Sequence, residues 1–187
     1  MKPSLRLLRS FAQAALLLAF IAALPVLGQD ARLQIDHLDR LEAKSIESVE
    51  VTLDELRLRA VHKLLTLDTT DRSRLREILA KLKGIYIRGF EFANDGEYRE
   101  ADLDLLRTQL NAPGWQRIVE VRERDGSRDE VYLMPRGDVA VGFASISAEP
   151  RKLCIINIVG PLQLEEMNLL EKQFEFKRCG IGSKKRR

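Results

Sequence analysis

Two histidines, His37 and His62, are the side chains of this sequence best suited to proton transfer near neutral pH. A metal site or an acid–base relay needs histidine, cysteine or carboxylate groups that converge on one point. His62 stands in a helical pattern between an apolar and a basic residue. The pattern around His37 does not decide between a short helix and a docked arm. Because neither histidine has such a set of partners, we expect both to be ordinary surface or boundary histidines.

The other residue types that carry catalysis also lack the patterns that catalysis requires. The glycines within strands and turns are isolated, so they form no phosphate-binding loop, and no serine stands in a nucleophile elbow. The pairs Asp102 with Asp104 and Glu165 with Glu166 invite comparison with a carboxylate dyad, but residues one or two apart on a helix do not face each other. We interpret both pairs as solvated helix faces. The sequence therefore predicts no catalytic, cofactor-binding or metal-binding residue, and a protein that is not an enzyme.

The aromatic residues suggest a binding surface of another kind. Trp115 follows a Pro-Gly pair at the start of a predicted strand, a position typical of a side chain that covers the core between helix and sheet. In the alternative interpretation, Trp115 lines a ligand groove together with Tyr98 and Tyr132. Only periodicity supports that groove, so core packing is the interpretation that we prefer.

The first 28 residues have the pattern of an export signal. Lys2, Arg6 and Arg9 form a basic region, and an apolar run covers residues 14–23. Side chains of small or moderate size stand at positions −3 and −1 before Gln29. The apolar run is about half of the ~20 residues that a membrane-spanning helix needs, so we expect cleavage. An uncleaved anchor over residues 11–27 is the alternative. We expect an exported protein, periplasmic or secreted after cleavage, without a lipid-attachment cysteine at the cleavage point.

Export affects the interpretation of the two cysteines, Cys154 and Cys179. An oxidising compartment permits a disulfide between them. Cys154, however, lies in a very apolar strand, where a free cysteine behaves as a small hydrophobic residue. Both alternatives remain open from the sequence, and the absence of a Cys-x-x-Cys pair gives no indication of a redox enzyme.

The charges are unevenly distributed along the chain. It carries 31 basic and 28 acidic residues, but residues 29–176 hold 22 basic and 28 acidic ones, a net charge of −6. An acidic body is a poor ligand for nucleic acid. The basic excess lies in the signal and in residues 177–187. We expect this basic tail to be solvated and mobile; weak contact with anionic surfaces is the alternative.

The elements that position these residues are organised around residues 139–161, which read as two strands joined by a tight turn. The second strand is apolar on both faces, a pattern typical of a buried central strand. Its alternating sets are Leu153, Ile155 and Val159 on one face and Cys154, Ile156 and Ile158 on the other.

The remaining pattern predicts one domain over residues 29–176. Strands are predicted over 45–53, 85–93, 115–124, 130–135, 139–147 and 151–159, and helices over 54–67, 72–83, 97–110 and 164–174, with a short helix or a docked arm over 31–44. The predicted core side of the 54–67 helix carries Leu56, Ala60, Leu64 and Leu67. That of the 72–83 helix carries Leu75, Ile78, Leu79 and Leu82, and Leu105 is among the core residues predicted for the 97–110 helix. We expect an α+β fold, an antiparallel sheet with three to four helices packed on one face, ferredoxin-like or related to that arrangement.

Nearly all of residues 31–176 resembles the bacterial domain of unknown function 4252 family, in the form found in acidobacterial exported proteins. The more specific runs are KGIYIR at 83–88 and NIVGP at 157–161. The resemblance implies a small exported or lipid-anchored envelope protein without an established activity. Genes of the family often lie beside extracytoplasmic-function sigma factors, which implies a link to envelope sensing. It supplies no catalytic residues, and the basic extension with Cys179 departs from the usual ending.

Together these observations favour a non-enzymatic interaction or sensory-accessory protein of the envelope, whose partner is an unknown envelope protein or ligand. The alternative is a binder of a small apolar ligand or lipid in the periplasm, in a groove near Trp115 and Tyr98. No cofactor and no nucleic-acid partner is expected.

Overall fold

The chain folds around a six-stranded antiparallel sheet. The computed structural model describes residues 30–64 and 70–174. The elements are the 3₁₀ helix η1 (Asp36–Lys44), β1 (Ser45–Asp54), α1 (Glu55–Leu64), α2 (Thr70–Lys81), β2 (Gly84–Phe92), α3 (Glu100–Leu110), β3 (Gln116–Arg122), β4 (Arg128–Arg136), β5 (Val139–Glu149), β6 (Lys152–Leu162), the 3₁₀ helix η2 (Leu164–Glu166) and α4 (Met167–Phe174).

The strands lie in the order β1-β2-β6-β5-β4-β3. Strands β3 to β6 form a meander, and β2 pairs with β6 on its other side. The turns between β3 and β4 and between β4 and β5 contain Gly126 at φ 91° and Gly137 at φ 61°, the left-handed conformation expected of glycine in tight turns. As predicted, β6 is a central strand that is buried on both faces.

Helices cover both faces of this sheet. On one face, η1 and α3 pack through Leu38, Leu41 and Leu106 against a core that includes Ile155. On the other face, α1, α2 and α4 pack against a separate core that includes Ile156. The α+β class is confirmed, whereas the prediction that the helices share one face is wrong. Because β6 is apolar on both faces, each face requires its own cover.

A ferredoxin-like arrangement is not confirmed. That arrangement is a repeated β-α-β-β-α-β unit. Here four of the six strands, β3 to β6, form a continuous meander in which each strand lies next to the strand that follows it.

The predicted inner face of α1 is also wrong. Leu56 and Leu64 are 76% and 81% exposed, and the helix packs through Leu58 instead. Apolar residues surround this helix, so periodicity does not specify one face. The direct connection from β1 fixes the phase, and the Asp54 side chain caps the helix by accepting the Arg57 N–H at 2.8 Å.

In α3, Leu105 is 57% exposed and Leu103 is buried in its place. The prediction for α2 is confirmed, since Leu75, Ile78, Leu79 and Leu82 are all buried. Leu67, the predicted signal of residues 1–28, Cys179 and the basic tail (177–187) lie outside the described residues.

Candidate functional site

An open groove lies at the end of the sheet where β2 begins and β6 ends. Its volume is about 700 Å³, within the ~300–1,000 Å³ typical of small-ligand sites. We name it the sheet-end groove. Its lining residues come from the segment before η1, the α2–β2 connection and four strands: Asp30, Ala31, Arg32, Lys83, Tyr86, Arg136, Val141, Val159, Gly160 and Pro161.

The groove has an apolar floor and a basic rim. Tyr86 and Val159 are buried, whereas Arg32, Lys83 and Arg136 are exposed. Among residues 30–64 and 70–174, no carboxylate forms an ion pair with any of these three cations. Cations that line one groove without a paired carboxylate create a positive potential that attracts anions.

Arg32 is positioned by a side chain in the middle of β6. Asn157 is fully buried; its carbonyl oxygen accepts the Leu33 N–H at 2.9 Å, and its amide nitrogen donates to the Ala31 and Phe143 carbonyl oxygens at 2.9 and 3.1 Å. These bonds fasten the N-terminal arm, residues 31–35, to the sheet. The Arg32 guanidinium then lies 4.6 Å from the centre of the Tyr86 ring, a cation–π contact.

Lys83 is positioned by backbone contacts that only glycine permits. Its N–H donates to the Val159 carbonyl oxygen at 2.7 Å. The next residue, Gly160, has a φ of +123°, and a Cβ there would lie 2.8 Å from the Leu82 Cα and 2.9 Å from the Lys83 nitrogen. The absence of a side chain therefore lets the α2–β2 connection close against β6.

The sequence of this chain matches the model of a known protein family. The family model described as domain of unknown function (DUF4252) matches residues 42–170. The chain belongs to this family. Because the match runs from the end of η1 into α4, it includes the whole sheet and all groove residues except those of the arm and Asp30.

Other comparisons add little to the family match. No curated protein matches this DUF4252 chain. A solved structure described as crystal form III of TP0453 is 15% identical over 71% of the chain, with a TM-score of 0.19. The match covers 54% of that protein's chain, so this protein matches about half of its length. A TM-score this low carries no argument about fold or function.

The aromatic residues predicted from the sequence lie in the core beneath α3 and the arm of this DUF4252 protein. Trp115 is 9% exposed and packs over Gly142, where a Cβ would come within 2.9 Å of its ring. Tyr132 is buried, and Tyr98 is half-buried with its hydroxyl donating to the Glu149 carbonyl oxygen at 2.6 Å. None of the three lines the sheet-end groove, and a ligand groove between them stays a prediction.

Burial and nearby carboxylates act on the tyrosine hydroxyls. Burial, with the charges of Glu100 and Glu149, raises the pKa of Tyr98 to about 12. Burial and the hydrogen bond to Glu130 raise the pKa of Tyr132. Both hydroxyls therefore stay protonated at neutral pH and serve as hydrogen-bond donors in the core.

The two histidines lie on opposite faces of the sheet. His37 belongs to η1, and its Nε2 lies 3.1 Å from the Asp102 carbonyl oxygen, to which it donates. His62 belongs to α1, and its Nε2 accepts the Arg76 Nε–H at 3.2 Å. The structure thus does not bring them together. Within the described residues, no group of three histidine, cysteine or carboxylate side chains could hold a metal ion.

The interpretation of Asp102 as a solvated residue is wrong. It is 3% exposed and caps α3, accepting the Arg99 N–H at 2.8 Å and pairing with Arg40 at 2.5 Å. Burial alone would raise its pKa, but the Arg99 N–H and the Arg40 guanidinium outweigh burial and lower the pKa of Asp102. Glu166 is similarly committed, since it accepts the Gln163 N–H at 3.0 Å.

Glu130 organises a cluster of ion pairs on the side of the sheet that α3 covers. This buried carboxylate was not singled out from the sequence. Glu130 of β4 has no exposed surface. It accepts hydrogen bonds from Arg107 at 3.0 Å, Arg128 at 2.9 Å and the Tyr132 hydroxyl at 3.0 Å, with Arg117 at 3.5 Å. Although burial lowers the pKa of Arg107, the hydrogen bond and charge of Glu130 raise it more. Arg107 and Arg128 also pair with Glu100, and Arg117 and Arg128 pair with Glu120. Together these contacts fasten α3 to β3 and β4.

Cys154 of β6 is buried and disulfide-bonded. Because Cys179 lies outside the described residues, the pairing of Cys154 with Cys179 stays a prediction. Among the described helices, none has the length and apolar composition that crossing a membrane requires.

Sequence reasoning missed the groove cations because they are separated by about 50 residues along the chain. One signal was available. Asn157 interrupts an apolar run in a strand predicted to be buried on both faces, and a buried amide must find hydrogen-bond partners.

Proposed function

We propose that this protein is an exported, non-enzymatic interaction or sensory-accessory module of the bacterial envelope that engages its partner through the sheet-end groove. The observation that carries the proposal is the set of three exposed cations, Arg32, Lys83 and Arg136, around an apolar floor. Elsewhere on the protein, arginines such as Arg88 and Arg107 are committed to carboxylates. An anionic partner would supply the groove with the charges that the described residues do not.

The location in the envelope is supported by the sequence. Residues 1–28 have the basic and apolar regions of an export signal. The acidic body argues against nucleic acid as the partner. The non-enzymatic part of the proposal is supported by the committed state of the polar clusters, since the histidines, Asp102 and Glu130 each bind neighbouring groups that hold the fold together.

Binding of a small apolar ligand or lipid is the second candidate function. The observation that favours it is the groove floor, where Tyr86, Val141, Val159 and Pro161 offer apolar surface. A ligand of this kind would gain about 25 cal/mol for each Å² of apolar surface that it removes from water.

Site-specific photo-crosslinking in intact cells of the source organism tests both candidates. A photoreactive amino acid would replace Val141 or Pro161 in the groove, in the full chain with its own N-terminal segment. The matched control is Glu77, an exposed residue of α2 on the opposite face of the sheet. We expect adducts at the groove positions and none at position 77.

The mass of the adduct distinguishes the two candidates. One recurring envelope protein would support the interaction module, and a lipid or other small molecule would support the ligand binder. Equal labelling at position 77, or no adduct at either groove position, would contradict the assignment of the groove as the contact surface.

A further inference from the structure

We infer that the sheet-end groove binds one anionic group, a carboxylate or a phosphate, that is attached to an apolar chain. This inference rests on the proposed function, because it names the chemistry of the ligand at the same site. It follows from three features of the groove: its unbalanced charge, the position of its apolar surface, and the fixed backbone that carries two of its cations.

The charge balance of the groove favours an anion. Three cations face one carboxylate, Asp30. That carboxylate is already engaged by the chain, since one of its oxygens accepts the Arg32 N–H at 3.1 Å. A neutral ligand would leave the three cations as they are in the free protein. With Asp30 counted, the three cations leave the groove a net charge of +2. A carboxylate would balance part of this charge and a phosphate monoester more of it, and charge-assisted hydrogen bonds are the strong ones.

The geometry at Arg32 leaves its hydrogen-bonding edge available. Its guanidinium lies 4.6 Å from the centre of the Tyr86 ring. A guanidinium that stacks on an aromatic ring uses its flat face for that contact and keeps its in-plane N–H donors for a carboxylate or phosphate. Because the side chain is exposed at the rim, an anion reaches those donors from solvent.

The apolar surface lies below this rim. Tyr86 and Val159 are 6% and 7% exposed, and Val141 is half-buried beside them. A ligand that places its anionic group among the cations therefore extends its body over apolar side chains. Polyanions such as nucleic acid do not fit this arrangement, because their charges continue along the chain whereas the cations here surround one groove.

The site is largely built before a ligand arrives. The buried Asn157 side chain accepts the Leu33 N–H and donates to the Ala31 carbonyl oxygen, and these two bonds fix the backbone that carries Arg32. The backbone hydrogen bond from Lys83 to Val159 fixes the main chain that carries the second cation. Little backbone order must be gained on binding, which favours affinity.

Isothermal titration calorimetry with the full chain tests this inference. The probe is dodecyl phosphate below its critical micelle concentration, compared with dodecanol and with inorganic phosphate. We expect dodecyl phosphate to bind and dodecanol to bind at least about tenfold more weakly, the effect of losing one charge-assisted contact. Inorganic phosphate is expected to bind more weakly than dodecyl phosphate, because it lacks the apolar chain.

Variants assign binding to the groove. Arg32→Met and Arg136→Met are each expected to weaken dodecyl phosphate binding by about tenfold or more. The matched control is Arg124→Met, which removes the same charge from an exposed turn at the opposite end of the sheet and should leave binding unchanged. Circular dichroism of each variant establishes that it is folded.

Vesicles distinguish the source of the anion. Phosphatidylcholine vesicles are compared with vesicles that also contain phosphatidylglycerol, for the unchanged protein and for Arg32→Met. Binding that needs both phosphatidylglycerol and Arg32 supports the inference with a membrane headgroup as the source, and binding of the monomeric probe supports a free amphiphile. Equal effects of Arg32→Met and Arg124→Met, or equal affinity for dodecanol and dodecyl phosphate, would overturn the inference.

The experiments distinguish a failure of the anionic-ligand inference from a failure of the proposed function. If groove positions crosslink to a protein in cells while no anionic amphiphile binds, the interaction function stands and the inference fails. If the groove positions give no adduct in cells, the proposed function fails whatever the probe does.

Discussion

Replacement of Glu130 by glutamine should destabilise this protein far more than replacement of any exposed carboxylate. Glu130 has no exposed surface, and Arg107, Arg128 and the Tyr132 hydroxyl donate to it at 2.9–3.0 Å. Glutamine keeps the size of the side chain but removes its charge. It also turns one acceptor into an N–H₂ group that faces guanidinium donors.

The expected size of the loss follows from burial. Removing one partner of a buried ion pair leaves an uncompensated charge and costs about 3–5 kcal/mol. The Arg107 side chain is 13% exposed and that of Arg128 is 21% exposed, so water replaces the lost carboxylate only in part. For a chain of this size, each kcal/mol corresponds to roughly 2–4 °C of melting temperature. Glu130→Gln is therefore expected to lower the melting temperature by about 6–20 °C.

Glu100→Gln is the matched control, because Glu100 also pairs with Arg107 but its side chain is 66% exposed. An exposed pair contributes about 0–1 kcal/mol. Urea denaturation followed by circular dichroism gives the free energy of unfolding of both variants. A double-mutant cycle with Arg107→Met then measures the coupling between Arg107 and Glu130 directly.

The reasoning would be refuted if Glu130→Gln cost no more than Glu100→Gln, or if the cycle gave a coupling below about 0.5 kcal/mol. Either result would mean that solvent or rearranged neighbours replace the carboxylate despite its burial. If Glu130→Gln does not fold, the loss of unfolding free energy in Arg107→Met alone, compared with that in Glu100→Gln, still reports the strength of the network.

Three further predictions concern the groove and the tyrosine beside α3. Asn157→Asp should release the arm (residues 31–35), because a carboxylate has no N–H for the two carbonyl oxygens that Asn157 contacts. Hydrogen–deuterium exchange of the arm amides should then be faster than in the unchanged protein. Unchanged exchange would contradict the role of Asn157. Gly160→Ala should lower the free energy of unfolding by about 1–3 kcal/mol, because its φ is +123° and a Cβ there would meet the backbone of Leu82 and Lys83. Gly126→Ala, at φ +91° in open space, should lower it less. Thermal or urea unfolding measures both. Tyr98 should ionise near pH 12 instead of its ordinary 10.0; since a raised pKa favours the protonated form in the folded state, its contribution to stability is complete below pH 10.0 and is lost as the pH rises toward 12. Ultraviolet titration of the phenols with and without Tyr98→Phe checks this, and a Tyr98 transition near pH 10 would contradict it.

Much of the sheet could be predicted from the sequence because strand patterns are local. β6 alternates apolar residues on two faces, and the structure places Ile155 and Ile156 in separate cores. The glycine turns at Gly126 and Gly137 were also readable, since only a positive φ closes such short connections easily.

The helix faces were predicted less well. In α1, apolar residues surround the helix, so periodicity alone did not show that Leu58 rather than Leu56 packs on the sheet. The prediction for α2 succeeded because its apolar residues form one stripe. A helix phase is set by the strand it leaves and by the layer it meets, and neither is encoded within the helix itself.

By itself, the sequence predicted an export signal over residues 1–28, and it determined the acidic body, the α+β class and the family of this protein. The first three depend on composition or on contacts between near neighbours, and the fourth on residue order along 42–170. Only the tertiary structure decided that Glu130 and Asp102 are buried, that helices cover both faces, and that Arg32, Lys83 and Arg136 surround one groove. Burial and convergence are properties of all the neighbours in space, and these neighbours come from strands and connections that are far apart in the chain.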